Sequence, residues 1–195
     1  MDLSVVGLTF GVIFVAELPD KTMIATIVLA SRHRPLPVWI GAAAAMLVNS
    51  AVAVAAGRLL ALLPHMAVEA VVTALFAAGA LYLLLTREAA IAREGEEEAR
   101  KVVSDRHIAL AAFGVIVLAE LGDLTQILTA NLAAHYHQPW SVFLGSAAAL
   151  IIVMGIGVIG GRALLRLLPL GVIRKIAGAL LAGLAVYAAV QTARG

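Results

Sequence analysis

Long apolar runs separated by short polar punctuation dominate the chain. Six runs reach the roughly 20 residues a helix needs to cross a bilayer, over approximately 3–30, 37–63, 66–86, 107–133, 140–168 and 171–191. The breaks are the basic stretch 31–35, Pro64-His65, the polar segment 87–106, residues 135–139 and Pro169. A transmembrane barrel would show short segments of alternating hydrophobicity instead. The pattern therefore predicts an all-α integral membrane protein with six transmembrane helices.

The polar segment REAAIAREGEEEARKVVSDR (87–106) leaves three spans on either side and reads as a solvated linker. It divides the chain into a first three-helix repeat (1–86), a charged loop (87–106) and a second three-helix repeat (107–195). The halves are copies of one another. AELPDKTMIAT (16–26) aligns with AELGDLTQILT (119–129) at a displacement of 103 residues. Gly41 and Gly57-Arg58 align with Gly145 and Gly161-Arg162 at a displacement of 104, and Pro64 and Pro169 close matching leucine-rich ends. Because each half holds three spans, the second copy must enter the membrane in the opposite direction, which is the inverted-repeat plan of many secondary transporters.

Lys and Arg placement orients the repeats. Eleven of them (Arg32, Arg34, Arg87, Arg93, Arg100, Lys101, Arg106, Arg162, Arg166, Arg174 and Lys175) fall on one side, against two, Arg58 and Arg194, on the other. The rule counts basic residues and not net charge, so the central loop is expected in the cytoplasm and both termini outside. Met1-Asp2-Leu3 lacks the basic start of a secretory signal, so the first apolar run is expected to stay as a span. Trp39 and Trp140, near span starts, read as interfacial anchors.

Composition agrees. The chain has 195 residues, 63% hydrophobic and 13% charged, with mean hydropathy +1.02. A soluble domain carries about a quarter charged residues. Cysteine is absent, which excludes disulfides, zinc-thiolate sites and a thiol nucleophile. A net charge of +2, with basic residues at segment ends, offers no surface for nucleic acid. No Ser/His/Asp arrangement, phosphate-binding loop or dinucleotide fingerprint occurs, so neither an enzyme nor a resident cofactor is expected. His33, His65, His107, His135 and His137 lie at span ends and read as surface residues. The sharper alternative is His135 and His137 as a ligand pair at the pathway mouth.

The chemistry sits where charge is most costly. Glu17 and Asp20 are spaced i, i+3, as are Glu120 and Asp123, which on a continuous helix puts each pair on one face. With Lys21 they make five charges inside apolar runs, at a nominal cost on the order of 12–17 kcal/mol on insertion scales. Pairing, protonation, a bound cation or water must offset most of that. Four carboxylates against one lysine leave a formal −3, which invites a divalent cation, protons, or both. Thr22, Thr125, Gln126, Asn49 and Asn131 are neutral oxygen-bearing helpers, although the two asparagines read equally well as interhelical hydrogen-bond glue. An all-oxygen donor set suits Ca²⁺, Mg²⁺ or Mn²⁺ better than soft metals. Cation and proton would compete for the same oxygens, which is the minimal chemistry of an exchanger, and Lys21 would trim affinity so that the ion can leave. Pro19 removes a backbone donor and should kink or open the first helix, and Gly122 permits the same opening in the second half. The glycines at 41, 57, 145, 155, 157, 160 and 161 read as close-packing positions, and Met23 as core.

ELPDKT (17–22) and ELGDLT (120–125) resemble the repeated E-x-G-D-[KR]-[ST] signature of the Gdt-type cation/proton exchangers. That family includes the Golgi manganese transporter, its yeast calcium/manganese relative and bacterial manganese exporters. The resemblance covers nearly the whole chain. It implies exchange of Mn²⁺ or Ca²⁺ for protons, with Glu17, Asp20, Glu120 and Asp123 as the ion site, supported by Thr22 and Thr125, and with Lys21 at the basic position. The chain departs twice: Pro19 stands where the family usually has glycine, and Leu124 where it usually has Lys or Arg. The second departure leaves one basic residue for two motifs.

The expectation is thus a secondary transporter in a bacterial inner membrane that exports a divalent cation, foremost Mn²⁺, in exchange for protons. Its partners would be the ion, protons and the lipid bilayer, and a homo-oligomer is compatible with it. An exporter of a small organic solute, such as an amino acid, and a non-transporting membrane scaffold subunit are the alternatives.

Overall fold

The computed structural model describes residues 1–18, 20–62, 65–101, 107–167 and 170–194, with backbone alone at 65–69, 71–72, 88, 161–167, 170, 188 and 191–194. Pro19, Pro64, Arg106 and Pro169 lie outside the described residues. Those described form helices α1 (Leu3–Glu17), α2 (Lys21–Arg32), α3 (Pro35–Leu60), α4 (His65–Leu85), α5 (Glu88–Arg100), α6 (Ile108–Glu120), α7 (Leu124–Tyr136), α8 (Pro139–Leu167) and α9 (Leu170–Arg194). There is no strand among them.

Two predicted spans are not single helices. The run 3–30 divides into α1 and α2, and the run 107–133 into α6 and α7, each pair bent by 67°. The cause is local. The second break turns on Gly122, whose φ of +79° is a left-handed conformation that costs glycine little and other residues more. Asp20 then caps α2 by accepting a hydrogen bond from the Thr22 amide at 3.2 Å, so the new helix starts with one of its free donors satisfied. By length and composition, α3 and residues 139–160 of α8 can each cross a membrane unaided, and each bent pair can do so as a unit.

Each broken pair lies on the long helix of the other half: α1 and α2 against α8, α6 and α7 against α3. Two equivalent glycines make this possible. A Cβ on Gly41 would collide with the Ala109 carbonyl of α6, and one on Gly145 would lie 2.6 Å from the Val6 carbonyl of α1. Val6 and Ala109 are themselves 103 residues apart, the displacement of the two motifs. Gly57 approaches the Ala130 carbonyl in the same manner, whereas Gly160 faces open space. The remaining helices, α4 and α9, pack on each other. Arg174 of α9 is buried and donates to the Leu83 and Leu84 carbonyls at 2.8 and 3.4 Å, placing a cation on the last turn of α4. Trp39 is half-buried and its indole N–H donates to the Ile151 carbonyl at 3.4 Å, so it joins α3 to α8, while Trp140 is exposed.

The segment 87–106 departs from the linker expectation. Most of it is α5, which turns 97° away from α4 and packs on α2. Ile91, Glu98 and Ala99 are buried there. Few apolar residues are needed for this docking because they recur on one helical face.

Candidate cation site

Both acidic motifs occupy the junctions between broken helices. Glu17 ends α1 and Asp20 caps α2; Glu120 ends α6 and Asp123 holds the N-cap position of α7, without a side-chain capping bond. The turns match: the Asp20 amide donates to the Glu17 carbonyl at 3.0 Å and the Asp123 amide to the Glu120 carbonyl at 3.1 Å. This corrects the same-face reading of the i, i+3 pairs. The acids of each pair sit at the ends of two different helices, joined by a hydrogen-bonded turn at a 67° bend rather than by a continuous helical period.

The break sorts the four carboxylates electrostatically. Asp20 and Asp123 stand at helix N-termini, where the partial positive charge of the first turn favours an anion. Glu17 and Glu120 stand at C-terminal ends, where the last carbonyls oppose one. They are also the more deeply buried, at 0% and 2% exposure. Neither carboxylate oxygen of Glu17 has a hydrogen-bond partner among the described residues. A cation placed here would meet both the carboxylates and the helix-end carbonyl field.

Three acids converge. Glu17, Asp20 and Glu120 each offer an oxygen within 4.8 Å of the others, close enough for one ion to touch all three. The group spans both halves of the chain. Asp123 is not in that group; its Oδ1 lies 3.7 Å from the Lys21 ammonium, and its Oδ2 is buried without a hydrogen-bond partner among the described residues. The Lys21 ammonium also lies 4.0 Å from Glu98 Oε1 on α5. Burial pushes the Glu98 carboxyl above the usual carboxylate range, and the ammonium groups of Lys21 and Lys101 pull against that shift.

The neutral candidates divide. Thr22 donates its hydroxyl to Glu120 across the repeat boundary, and the Thr125 hydroxyl donates to Glu120 Oε2 at 3.4 Å. Gln126 is a brace for the break: its Oε1 accepts from the Gly122 amide at 2.6 Å, and its Nε2 donates to Asn49 Oδ1 at 3.4 Å. Asn49, Ser50, Glu120, Thr125, Gln126 and Thr129 line a cavity with room for about one water-sized species. Asn131 turns back to donate to the Ile127 carbonyl at 2.8 Å and does not join the group. His135, near the end of α7, and His137, just after it, are both exposed. Met23 is core, at 1% exposure.

Two features escape a reading of the sequence. Thr26 and Thr129, 103 residues apart, donate to the Thr22 and Thr125 carbonyls, both at 2.8 Å. The repeat alignment contained that signal, since both threonines fall inside it. Glu98 carried none, being one of four acids in the run 94–98.

An all-helical apolar chain that buries converging acids at two breaks in membrane-length helices is an integral membrane transporter of the ion-handling class. The chain belongs to the GDT1 family of divalent cation/proton antiporters, whose family model matches residues 5–90 and 108–195. It is 32% identical to a Vibrio cholerae protein named "Putative manganese exporter", over 98% of this chain and 91% of the relative. A GDT1-like protein of Synechocystis is 30% identical over 77% of the chain and 79% of its own length. GDT1-like protein 4 of Oryza sativa subsp. indica is 28% identical over 90% of the chain and 69% of its own length. No solved structure matches the chain.

Proposed function

We propose that this protein exchanges Mn²⁺ for protons across a bacterial inner membrane, moving the metal out of the cytoplasm. Its six spans are α1–α2, α3, α4, α6–α7, α8 and α9, arranged as two inverted three-helix repeats with the central segment cytoplasmic and both termini outside. The ion is cargo and no resident cofactor takes part. Glu17, Asp20, Glu120 and Asp123 bind it, with Thr22 and Thr125 in support.

The observation that carries this reading is the convergence of Glu17, Asp20 and Glu120 from two helix breaks, with Glu17 fully buried. Carboxylates crowded in a low dielectric cannot all stay charged; they hold either protons or a cation. A divalent ion entering from one side displaces protons, and protons arriving from the other side displace the ion. The oxygen-only donor set and the family support a hard divalent cation, and the name of the Vibrio cholerae relative favours manganese among them. An organic solute with its own carboxylate would meet repulsion at such a site.

Flux in proteoliposomes tests the proposal, with Mn²⁺, Ca²⁺ and Mg²⁺ each set against an imposed pH gradient. The expected outcome is Mn²⁺ movement coupled to opposite proton movement. If a well-folded, correctly inserted preparation moves none of the three ions, the function is wrong. Undiminished transport in Glu120→Gln and Asp123→Asn would sink the site assignment alone.

A further inference from the structure

The helix α5 brings an acid of its own to the motif. Its Gly95 sits so close to α2 that an added Cβ would lie 2.6 Å from the Lys21 carbonyl oxygen and 2.8 Å from Ile24 Cβ. Docked at that distance, α5 delivers Glu98, 8% exposed, to the Lys21 side chain. One carboxylate oxygen of Glu98 lies 4.0 Å from the ammonium, and the other is buried with no hydrogen-bond partner among the described residues. The same ammonium is 3.7 Å from Asp123. Lys21 is therefore shared between an acid of the motifs and an acid outside them.

The described residues of the second half show no such arrangement. Leu124 holds the position equivalent to Lys21, and its methyls lie 3.0 and 3.1 Å from where a Cβ on Gly79 would be. The basic residue persists on the side where α5 can engage it, and an apolar one stands on the side where α4 is the neighbour. Glu98 itself lies between the two stretches that the family model matches.

We propose that Glu98 is a positioning residue that, through Lys21, sets whether Asp123 is free to join Glu17, Asp20 and Glu120 around the ion. This rests on the site reading above. When Lys21 leans toward Glu98, Asp123 offers a fourth carboxylate and the ion is held more tightly. When Lys21 leans toward Asp123, three carboxylates remain and the ion leaves more readily. Displacing α5 from α2 thereby weakens the site without touching a ligand.

A double-mutant cycle read by equilibrium Mn²⁺ binding to the purified full-length chain, with proteoliposome flux alongside, tests this. Glu98→Gln is expected to weaken Mn²⁺ binding about fivefold, the scale of a partly exposed ion pair. Glu98→Asp keeps the charge on a shorter arm and should fall between it and the wild type. Lys21→Met is expected to tighten binding, and in that background Glu98→Gln should change affinity by less than about twofold. A purely structural role for Glu98 would persist when Lys21 is gone. Unchanged affinity in Glu98→Gln, or the same loss with and without Lys21, overturns the proposal and leaves exchange standing. Wild-type protein that binds Mn²⁺, shows the cycle and yet carries no flux overturns exchange and leaves the proposal standing. Absence of Mn²⁺ binding by the monodisperse wild type overturns both.

Discussion

Glu17 is the acid with the least compensation. It is fully buried, ends a helix whose last carbonyls repel it, and has no hydrogen-bond partner among the described residues. Such a group is retained at the expense of stability, and removing its charge should separate stability from function. Glu17→Gln keeps the shape and lets the amide donate to Asp20 or Glu120. The expected outcome is loss of Mn²⁺-driven proton flux together with a melting temperature higher by about 2–4 °C without metal, the shift that about 1 kcal/mol gives a chain of this size. A thermal melt beside a flux assay reads both; a less stable protein that still transports would contradict this account of Glu17. Leu124→Lys makes the opposite change. Its ammonium would arise beside Gly79 and Leu181, where no acid like Glu98 is docked among the described residues. It should lower the melting temperature and weaken Mn²⁺ binding, because a second positive charge then competes for Asp123. Tighter binding in that variant would count against Lys21 as the residue that limits affinity.

At the scale of elements, the broken helices depend on two kinds of glycine. Gly122 supplies the left-handed turn, and Gly41 and Gly145 let each broken pair approach the long helix of the other half. The close-approach glycines are equivalent, so they should fail equivalently. Gly41→Leu and Gly145→Leu are each expected to destabilise by about 1–3 kcal/mol, the cost of overpacking. Gly11→Ala, with nothing within 4 Å of the new methyl, should be neutral or mildly stabilising. Heating followed by size-exclusion chromatography ranks the three, and a large difference between the two leucine variants would speak against matched packing. The sequence made these contacts legible because a displacement near 103 residues relates both the glycines and the motifs. It also announced the second break through Gly122. What it could not show was that the break moves Asp20 and Asp123 onto new helices, since i, i+3 spacing implies one face only while the helix continues. Nor could it show α5 as a docked helix. Ile91, Gly95 and Ala99 are sparse in a charged run, and it is the surface of α2, with the start of α6 beside it, that makes that face worth burying.

For the whole molecule, the cross-packing of α1 on α8 and α6 on α3 relates two halves that should run oppositely through the bilayer. The direct consequence concerns the connections that follow the broken spans. Arg34, between α2 and α3, and His137, between α7 and α8, are 103 residues apart and both exposed. They are equivalent in the repeat, yet an inverted copy must place them on opposite faces of the membrane. Lys and Arg placement assigns the first to the cytoplasm and the second to the outside. The chain has no native cysteine, so single substitutions report cleanly. A membrane-impermeant maleimide applied to spheroplasts, where the outer face of the inner membrane is open, should label His137→Cys. Arg34→Cys should be labelled only in inside-out vesicles. Labelling of both from one side would mean that the halves are parallel and that three spans do not separate these positions. Labelling with the faces exchanged would keep the inverted repeat and reverse the assigned orientation, while the direction of exchange would still follow the ion and proton gradients. The same α5 that carries Glu98 would then face outward, and Lys21 would be tuned from the side on which the exported ion leaves.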